Sequence, residues 1–115
     1  MKLVNILELL AQSASGEFKR VMPFNDGFLE AIDIQGTSPM WEMHPDTDEL
    51  FYVLDGLLKL ELLGDDESEF YAANRNELFV IPKGRWHKFS APTGAKFFYL
   101  TPGQVLHSDK ADPRI

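Results

Sequence analysis

Hydrophobic residues recur at every second position in short runs over most of the chain, which is the period of half-buried β-strands. Leu58, Leu60 and Leu62 alternate with the charged Lys59 and Glu61, so one face of that run is apolar and the other polar. The same pattern, bounded by turn residues, predicts nine strands. These predicted strands cover residues 18–22, 28–34, 41–44, 49–54, 57–63, 70–72, 77–81, 87–90 and 96–100.

This series of short strands predicts an all-β sandwich or small barrel. The N-terminus differs, because Asn5 followed by Glu8 has the spacing of a helix cap and apolar residues then recur at helical spacing. We therefore expect a short helix over residues 5–12. Asp55-Gly56 is a strong turn signal between two strands. The polar tail, 101–115, is expected to lie over the surface or to reach a partner.

The composition narrows the class of protein. The chain has 115 residues, 44% of them hydrophobic and 25% charged, as expected for one soluble globular domain. No apolar run approaches the roughly 20 residues that span a bilayer. With a net charge of -7, we expect neither nucleic acid nor a membrane as a partner. The absence of cysteine excludes disulfides and fits a reducing compartment, so we expect a cytoplasmic protein.

Three side chains with metal-binding groups lie in one predicted strand–turn–strand unit. Glu42 and His44 point to the same side, since alternate residues of a strand share a face. Residues 45–48 reverse the chain, and Glu49 then opens the next strand, where it can face His44. Further along, His87 begins a strand directly after a tight turn. Two imidazoles and two carboxylates suit Fe, Mn, Ni, Zn or Cu.

The spacing of the first group resembles a motif of the cupin superfamily. That motif is Gly, five residues, His-x-His, three or four residues, Glu, six residues and Gly. Gly36, His44, Glu49 and Gly56 stand in this register, and Glu42 occupies the place of the first histidine. This departure puts the composition of the metal site in question.

A second cupin motif follows in residues 76–91. Its pattern is Gly, five residues, Pro-x-Gly, two residues, His, three residues and Asn. Residues 82–84 supply Pro-Lys-Gly and His87 is in register, whereas Asn76 and Ala91 replace the first and last residues of the motif. With motif 1 at 36–56 and motif 2 at 76–91, the sequence resembles a small single-domain cupin of the conserved-barrel type.

The resemblance implies a jelly-roll barrel, or double-stranded β-helix, in which residues 1–115 form a single domain. It also implies a divalent transition metal, Fe, Mn, Ni or Zn, held by His44, Glu49 and His87, with Glu42 in the place of the fourth ligand. Glu42 itself has three possible roles: it ligates the metal, turns outward or pairs with an arginine. Without Glu42, the other three form a 2-His-1-carboxylate triad of the kind used by non-haem Fe(II) oxygenases.

Strand parity predicts which side chains line a substrate pocket. Phe51, Val53, Phe89 and Met40 each have the parity of the candidate ligand nearest to them in the chain. His107, in the polar tail, is expected to be solvated. The sequence does not show clearly where acid or base groups beyond the metal ligands lie. The candidates are Tyr52, Tyr71, Tyr99, Lys83 and Arg85.

Two functions follow from these features. The first is a metal-binding small cupin that acts as an enzyme, dioxygenase-like or isomerase-like, on a small polar metabolite. The alternative is a non-catalytic cupin that binds a metal or small ligand and has a sensing or structural role. The resemblance, the apolar helix and the edge strands of so small a barrel also lead us to expect a homodimer.

Overall fold

The structure, a computed structural model, describes residues 1–38 and 40–115. Within these residues the chain forms one helix and eight strands. Their bounds are α1 Ile6–Ala11, β1 Lys19–Phe24, β2 Gly27–Thr37, β3 Trp41–Met43, β4 Glu49–Leu63, β5 Ser68–Asn74, β6 Leu78–Ile81, β7 His87–Pro102 and β8 Leu106–Ser108. In the described part of the chain, no helix has the length and apolar character needed to cross a membrane.

Strand β7 is the centre of the fold. It pairs with β2, β4 and β3, while β1 continues the sheet from β2 and β8 continues it from β3. Strands β5 and β6 both pair with β4, and every one of these pairs is antiparallel. The predicted all-β jelly-roll barrel with a short N-terminal helix is therefore confirmed.

The N-terminal helix has the predicted cap. The Asn5 side chain accepts a hydrogen bond from the Glu8 backbone N–H at 3.0 Å, which satisfies a donor that the first turn leaves without a partner. Leu10, 1% exposed, packs with Val21 and Ala31 in a small apolar cluster. The helix thus covers the outer strands β1 and β2 through its apolar side.

Two long strands bend where the sequence predicts a turn or a break. Residues 49–54 and 57–63 belong to β4, and residues 87–90 and 96–100 belong to β7. The prediction of a turn at Asp55-Gly56 is wrong, because β4 continues with shifts of its register against β7. Gly56 has a φ of +82°, and a Cβ atom there would collide with the Gly94 carbonyl oxygen. Glycine therefore allows the two bent backbones to touch.

The core beneath the open end of the barrel is aromatic. Phe51, 2% exposed, has its ring centroid 4.9 to 5.8 Å from those of Phe79, Phe89, Phe97 and Tyr99. Rings at such distances add to the stabilisation from apolar burial. This cluster forms a rigid floor for the side chains of the candidate site.

The tail contributes an edge strand to the sheet. Residues 106–108 form β8 and pair with β3, so for these residues the expectation of a tail merely lying over the surface is wrong. The register of the pair sets His107 directly opposite Glu42. The C-terminal segment is thereby attached to the strand that carries part of the candidate site.

Candidate metal centre

The candidate ligands lie in or next to strands, where the backbone fixes their direction. Glu42 lies within β3 and His44 follows its last residue, while Glu49 opens β4 and His87 opens β7. The turn before β7 is tied to the first group, because the Gly84 N–H donates to the His44 carbonyl at 2.8 Å. Residues distant in sequence are thus held around one point.

The distances between donor atoms fit a single ion. His44 Nε2 lies 2.9 Å from Glu49 Oε2, and His87 Nε2 lies 3.3 Å from Glu49 Oε1. Glu42 Oε2 is 3.9 Å from His87 Nε2, and a donor atom from each of Glu42, His44 and His87 lies within 4.8 Å of the other two. Two donors that are each about 2.1 Å from one ion lie roughly 3 to 4 Å apart. Glu42, His44 and His87 therefore bring donor atoms near one point, and Glu49 contacts both imidazoles there.

Backbone carbonyls orient the two buried imidazoles. His44 Nδ1 lies 3.1 Å from the Gln104 carbonyl oxygen, and His87 Nδ1 lies 3.1 Å from the Arg85 carbonyl oxygen. A carbonyl only accepts, so each Nδ1 carries the proton and donates it. In the neutral form of each ring, Nε2 then directs its lone pair toward the centre, and this is the form that binds a metal.

Three buried polar atoms of the site have no hydrogen-bond partner. Among the described residues four buried side-chain atoms have none, and three of them are His44 Nε2, His87 Nε2 and Glu49 Oε1. The fourth is Trp41 Nε1. His44 Nε2 and Glu49 Oε2, 2.9 Å apart, form a charge contact. Buried polar groups without partners are costly and rare, and three aimed at one point fit a bound cation.

Glu42 contacts two histidines through its two oxygens. Its Oε2 faces His87, as given above, and its Oε1 lies 3.5 Å from His107 Nε2 on β8. The Glu42 side chain is 27% exposed and that of His107 is 46% exposed. Glu42 thus turns toward the site rather than away from it, and no arginine pairs with it among the described residues.

The charges of the site move two pKa values in opposite directions. Burial alone raises the pKa of Glu49, but contacts with His44, His87 and the Thr101 hydroxyl outweigh burial and lower it to about 2. Burial alone lowers the pKa of His44, but the contacts of its imidazole with the Glu49 carboxylate outweigh burial and raise the pKa above 6.5. Glu49 is therefore ionised, and His44 holds a proton more tightly than an ordinary histidine.

A cavity of about 590 Å³ opens above these residues. Its walls are largely aromatic and aliphatic, with few polar groups beyond the candidate ligands. Glu42, His44 and Glu49 lie on its surface, and the other lining residues are Gly16, Phe18, Glu30, Ile32, Ile34, Ser38, Phe51, Phe89, Phe97, Tyr99, Thr101, Gly103, Val105 and His107. The candidate metal centre therefore faces a chamber large enough for a small organic molecule.

The structure places the four predicted pocket residues in two groups. Phe51 and Phe89 line the cavity. Val53, 0% exposed, is enclosed in the main core and is not among the lining residues, because the barrel closes below Phe51. Met40 precedes the first residue of β3, so strand parity does not govern its direction, and it too is absent from the lining.

Of the five candidate acid or base residues, Tyr99 lines the cavity. Burial raises its pKa, and the charges of nearby carboxylates, Glu30 first, raise it further, so the phenol keeps its proton. Two of the other candidates form hydrogen bonds elsewhere. The Tyr52 hydroxyl donates to Asn76 Oδ1, and the Arg85 guanidinium donates to the Leu63 carbonyl. Lys83 and Tyr71 are exposed.

Several residues of the site carry no local sequence signal. Gln104 and Thr101 contact His44 and Glu49 across more than fifty residues of chain, and His107 reaches Glu42 only through the pairing of β3 with β8. Glu30 is different, because it alternates with Ile32 on the apolar face of β2 and both line the cavity. An acid at an apolar position is a signal that parity could have identified.

Comparison with known families gives one match that covers most of the chain. A family model described as Cupin domain matches residues 28–103. Among curated proteins, Acetate kinase EutQ of Clostridioides difficile (strain 630) is 36% identical over 70 residues, which are 61% of this chain and 41% of that protein. The chain therefore spans about two fifths of the length of this curated relative.

Two solved structures are similar over almost the same part of the chain. A cupin-2 domain containing protein from Shewanella frigidimarina NCIMB 400 has a TM-score of 0.73 at 26% identity, covering 87% of this chain and 94% of that one. Hydroquinone 1,2-dioxygenase from Sphingomonas sp. TTNP3, with 4-hydroxybenzoate bound, has a TM-score of 0.72 at 19% identity and covers 86% and 74%. At that identity the second likeness concerns the fold alone.

Proposed function

The chain belongs to the cupin domain family, and from this premise we propose that it is a metal-dependent enzyme. His44, Glu49 and His87 hold a divalent transition metal, and Glu42 completes the protein ligands. The cavity above the metal takes a small organic molecule, on which the barrel carries out a dioxygenase-like or isomerase-like reaction. The metal is Fe, Mn, Ni or Zn, which this donor set accepts.

The observation that carries the proposal is the set of buried atoms without partners. His44 Nε2, His87 Nε2 and Glu49 Oε1 converge, and backbone carbonyls hold both rings in the tautomer that a metal requires. In a purely structural site such buried atoms are usually hydrogen-bonded or replaced by apolar groups. The arrangement is therefore explained by a ligand of positive charge.

Glu42 is included because its carboxylate is turned inward. One oxygen faces His87, and the other faces His107, which limits rotation of the carboxylate. With Glu42 and Glu49 both ionised, a divalent ion would be electrically neutralised by its ligands. Such an ion acidifies bound water less than one with a single carboxylate ligand, because the net positive charge is smaller.

The chain's own residues provide the remaining roles. A bound metal would supply Lewis acidity or, for iron, chemistry with O₂. The Thr101 hydroxyl donates to Glu49 and fixes that carboxylate. Tyr99 presents a protonated phenol to the cavity, where it can donate a hydrogen bond to a ligand. The aromatic walls keep water away from the reacting centre.

The dioxygenase in the comparison is an example of an oxygenase with a similar fold, and the proposal of such a reaction for this chain depends on the metal site. The acetate kinase activity of the Clostridioides relative is not proposed for this chain. The cavity has no Lys or Arg among its described lining residues, and a phosphoryl transfer site needs cations for its phosphates.

Elemental analysis of the purified protein, before and after reconstitution, tests the metal site. We expect about one equivalent of transition metal in the wild type, a reduced amount in Glu42→Ala and none in His87→Ala. Lys83→Ala is the matched control, because Lys83 is exposed on the adjoining turn and should leave metal content unchanged. If neither the wild type nor Glu42→Ala takes up metal after reconstitution, the proposal is wrong.

The alternative is a non-catalytic cupin that senses or binds the same metal and ligand. It is favoured by the small number of acid or base groups in the cavity besides the candidate ligands. Oxygen consumption and product analysis with candidate substrates separate the two functions. Turnover that disappears in His87→Ala supports the enzyme, whereas tight ligand binding without turnover supports the sensor.

The single-domain organisation over residues 1–115, the homodimer and the cytoplasmic location stay predictions. The exposed apolar side chains of β5 and β6, Phe70 and Leu78 among them, are compatible with a covered surface. Light scattering on the purified chain gives its molar mass in solution. A mass of 13.1 kDa at all concentrations would contradict the homodimer.

A further inference from the structure

The cavity carries an excess of negative charge. Three of its described lining residues are glutamates, Glu30, Glu42 and Glu49, and none is Lys or Arg. A divalent ion at the metal centre would offset two of the three charges, so the chamber stays negative with the metal or without it. A carboxylate or phosphate ligand would therefore enter against repulsion in a partly desolvated space.

Glu30 is not one of the candidate metal ligands, and its carboxylate forms no ion pair in the described part of the chain. It lies on the inner face of β2 with Ile32 and Ile34, and it has no hydrogen bond or ion pair among the described residues. Arg20 is opposite Glu30 in the β1–β2 register, yet its guanidinium carbon lies 3.8 Å over the ring of Phe28. The cation nearest in the sheet is thus engaged with an aromatic ring.

Glu30 lies beside an aromatic ring in the wall of the cavity. Tyr99 is its direct partner across β2 and β7, and the ring of Phe18 meets that of Tyr99 edge-on at 6.2 Å. Both rings line the cavity, together with Phe51, Phe89 and Phe97. Aromatic faces attract cations, and a carboxylate beside them supplies the opposite charge. This combination is suited to an ammonium group attached to an apolar body.

We infer that the ligand of this cavity is a small amine in its ammonium form, whose charged end contacts Glu30 and whose apolar body lies along the aromatic walls toward the metal centre. This inference rests on the proposed function only in taking the cavity as the ligand site. Two further observations support the site as a built one. His44 and Glu49, which also line this cavity, are buried and have polar atoms that lack hydrogen-bond partners.

Three probes that share a phenylethyl group test the charge of the ligand: 2-phenylethylamine, 2-phenylethanol and 3-phenylpropanoate. Binding to wild-type protein is measured by calorimetry at neutral pH, with the metal-loaded and the metal-free protein. We expect the amine to bind at least about tenfold more tightly than the alcohol, as for one contact with a charged partner, and the acid to bind most weakly. The same order is expected in both metal states.

Substitutions assign the preference to Glu30. In Glu30→Gln, which keeps the size of the side chain, amine binding should weaken by roughly tenfold while alcohol binding stays unchanged. Arg20→Gln is the matched control on the neighbouring strand, and it should leave amine binding unchanged or tighten it. Metal content should equal that of the wild type in both variants, because neither residue is a candidate ligand.

Three results would overturn the inference. These are an acid that binds as tightly as the amine, an amine affinity that Glu30→Gln leaves unchanged, and no binding of any probe. In the first case, loss of acid binding in Arg20→Gln would assign the cavity to anions. Failure of the metal proposal is separate, since it appears as absent metal in elemental analysis, whereas the order of the probes is measured in metal-free protein as well.

Discussion

The inner and outer sides of the candidate metal centre are built differently. On the inner side, the imidazoles of His44 and His87 are 7% and 0% exposed, and each is fixed by a backbone carbonyl. On the outer side, Glu42 and His107 are 27% and 46% exposed and are fixed mainly by each other. From this difference we expect the inner side to set where the proposed metal binds and the outer side to adjust its charge and access.

The departure from the cupin motif falls on the adjustable side. Glu42 occupies the position of a motif histidine, and it is the candidate ligand with the greatest exposure among the four. A carboxylate in place of an imidazole costs less there, because water and His107 can share its charge. Substitutions on the inner side should therefore have larger effects than substitutions on the outer side.

The largest effect is expected from His87→Ala. The variant removes a fully buried donor, so metal affinity should fall by more than about 100-fold, since even partners of ligands contribute 10- to 100-fold. Competition with a chromophoric chelator measures this affinity, and circular dichroism reports whether the barrel is intact. A folded variant that keeps wild-type affinity would contradict the assignment of the inner side.

Glu49→Gln should have the next largest effect. The amide has the size of the carboxylate but not its charge, so metal affinity should fall by about 100-fold while the fold persists. The carbonyl oxygen of the introduced amide can still accept the hydrogen bond from the Thr101 hydroxyl, which separates loss of charge from loss of shape. Metal affinity unchanged in this variant would show that Glu49 is structural.

The outer pair should give smaller and coupled effects. Glu42→Gln and His107→Ala are each expected to lower metal affinity by about tenfold. If His107 acts through Glu42, His107→Ala should change affinity little in the Glu42→Gln background. The visible spectrum of Co²⁺-loaded protein adds a second readout, because it changes with the ligand field. Fully additive losses would mean that His107 acts independently of Glu42.

The smallest effect concerns pH and the metal-free protein. The pKa of Glu49 is lowered from 4.5 to about 2, so its contribution to stability is complete above pH 4.5 and is lost as the pH falls toward 2. The pKa of His44 is raised above 6.5, so its contribution is complete below pH 6.5 and is lost as the pH rises through the folded-state value. The inner side should thus contribute most between pH 4.5 and 6.5.

Urea unfolding with a chelator present, followed over about pH 3 to 9, measures that window. Glu49→Gln should flatten both limbs of the profile, because it removes one titrating group and the charge that raises the pKa of the other. Glu42→Gln should change them less, since the charge of Glu42 is the last and smallest of the causes acting on His44. A wild-type profile without this window would contradict the contact between His44 and Glu49.

Local patterns were sufficient for most of the fold and for the arrangement of candidate ligands. The alternation of Leu58, Leu60 and Leu62 is confirmed by their burial. The Asp55-Gly56 signal was misleading, because a residue with positive φ serves a bend within a strand as well as a turn. Strand parity predicted that Val53 faces the cavity. Parity indicates only the face of the strand, however, and not how deep in the barrel the residue lies.

The contributions of the tail could not be predicted from the sequence. His107 lies in a polar segment without alternation, and its place opposite Glu42 depends on a pairing between distant strands. The cupin spacing carries information about residues 36–56 and 76–91 only. The identity of the metal ligands, Glu42 included, stays a prediction that the geometry supports.

The carbonyl of Gln104 orients His44, although the Gln104 side chain has no described hydrogen bond with the site. Because every amino acid has that carbonyl, a scan of point substitutions would score position 104 as tolerant. Deleting residue 104 would displace the carbonyl acceptor and release the imidazole ring of His44. The orientation of His44 therefore depends on the length of the chain at this point rather than on the identity of residue 104. Comparisons of aligned side chains would overlook this dependence.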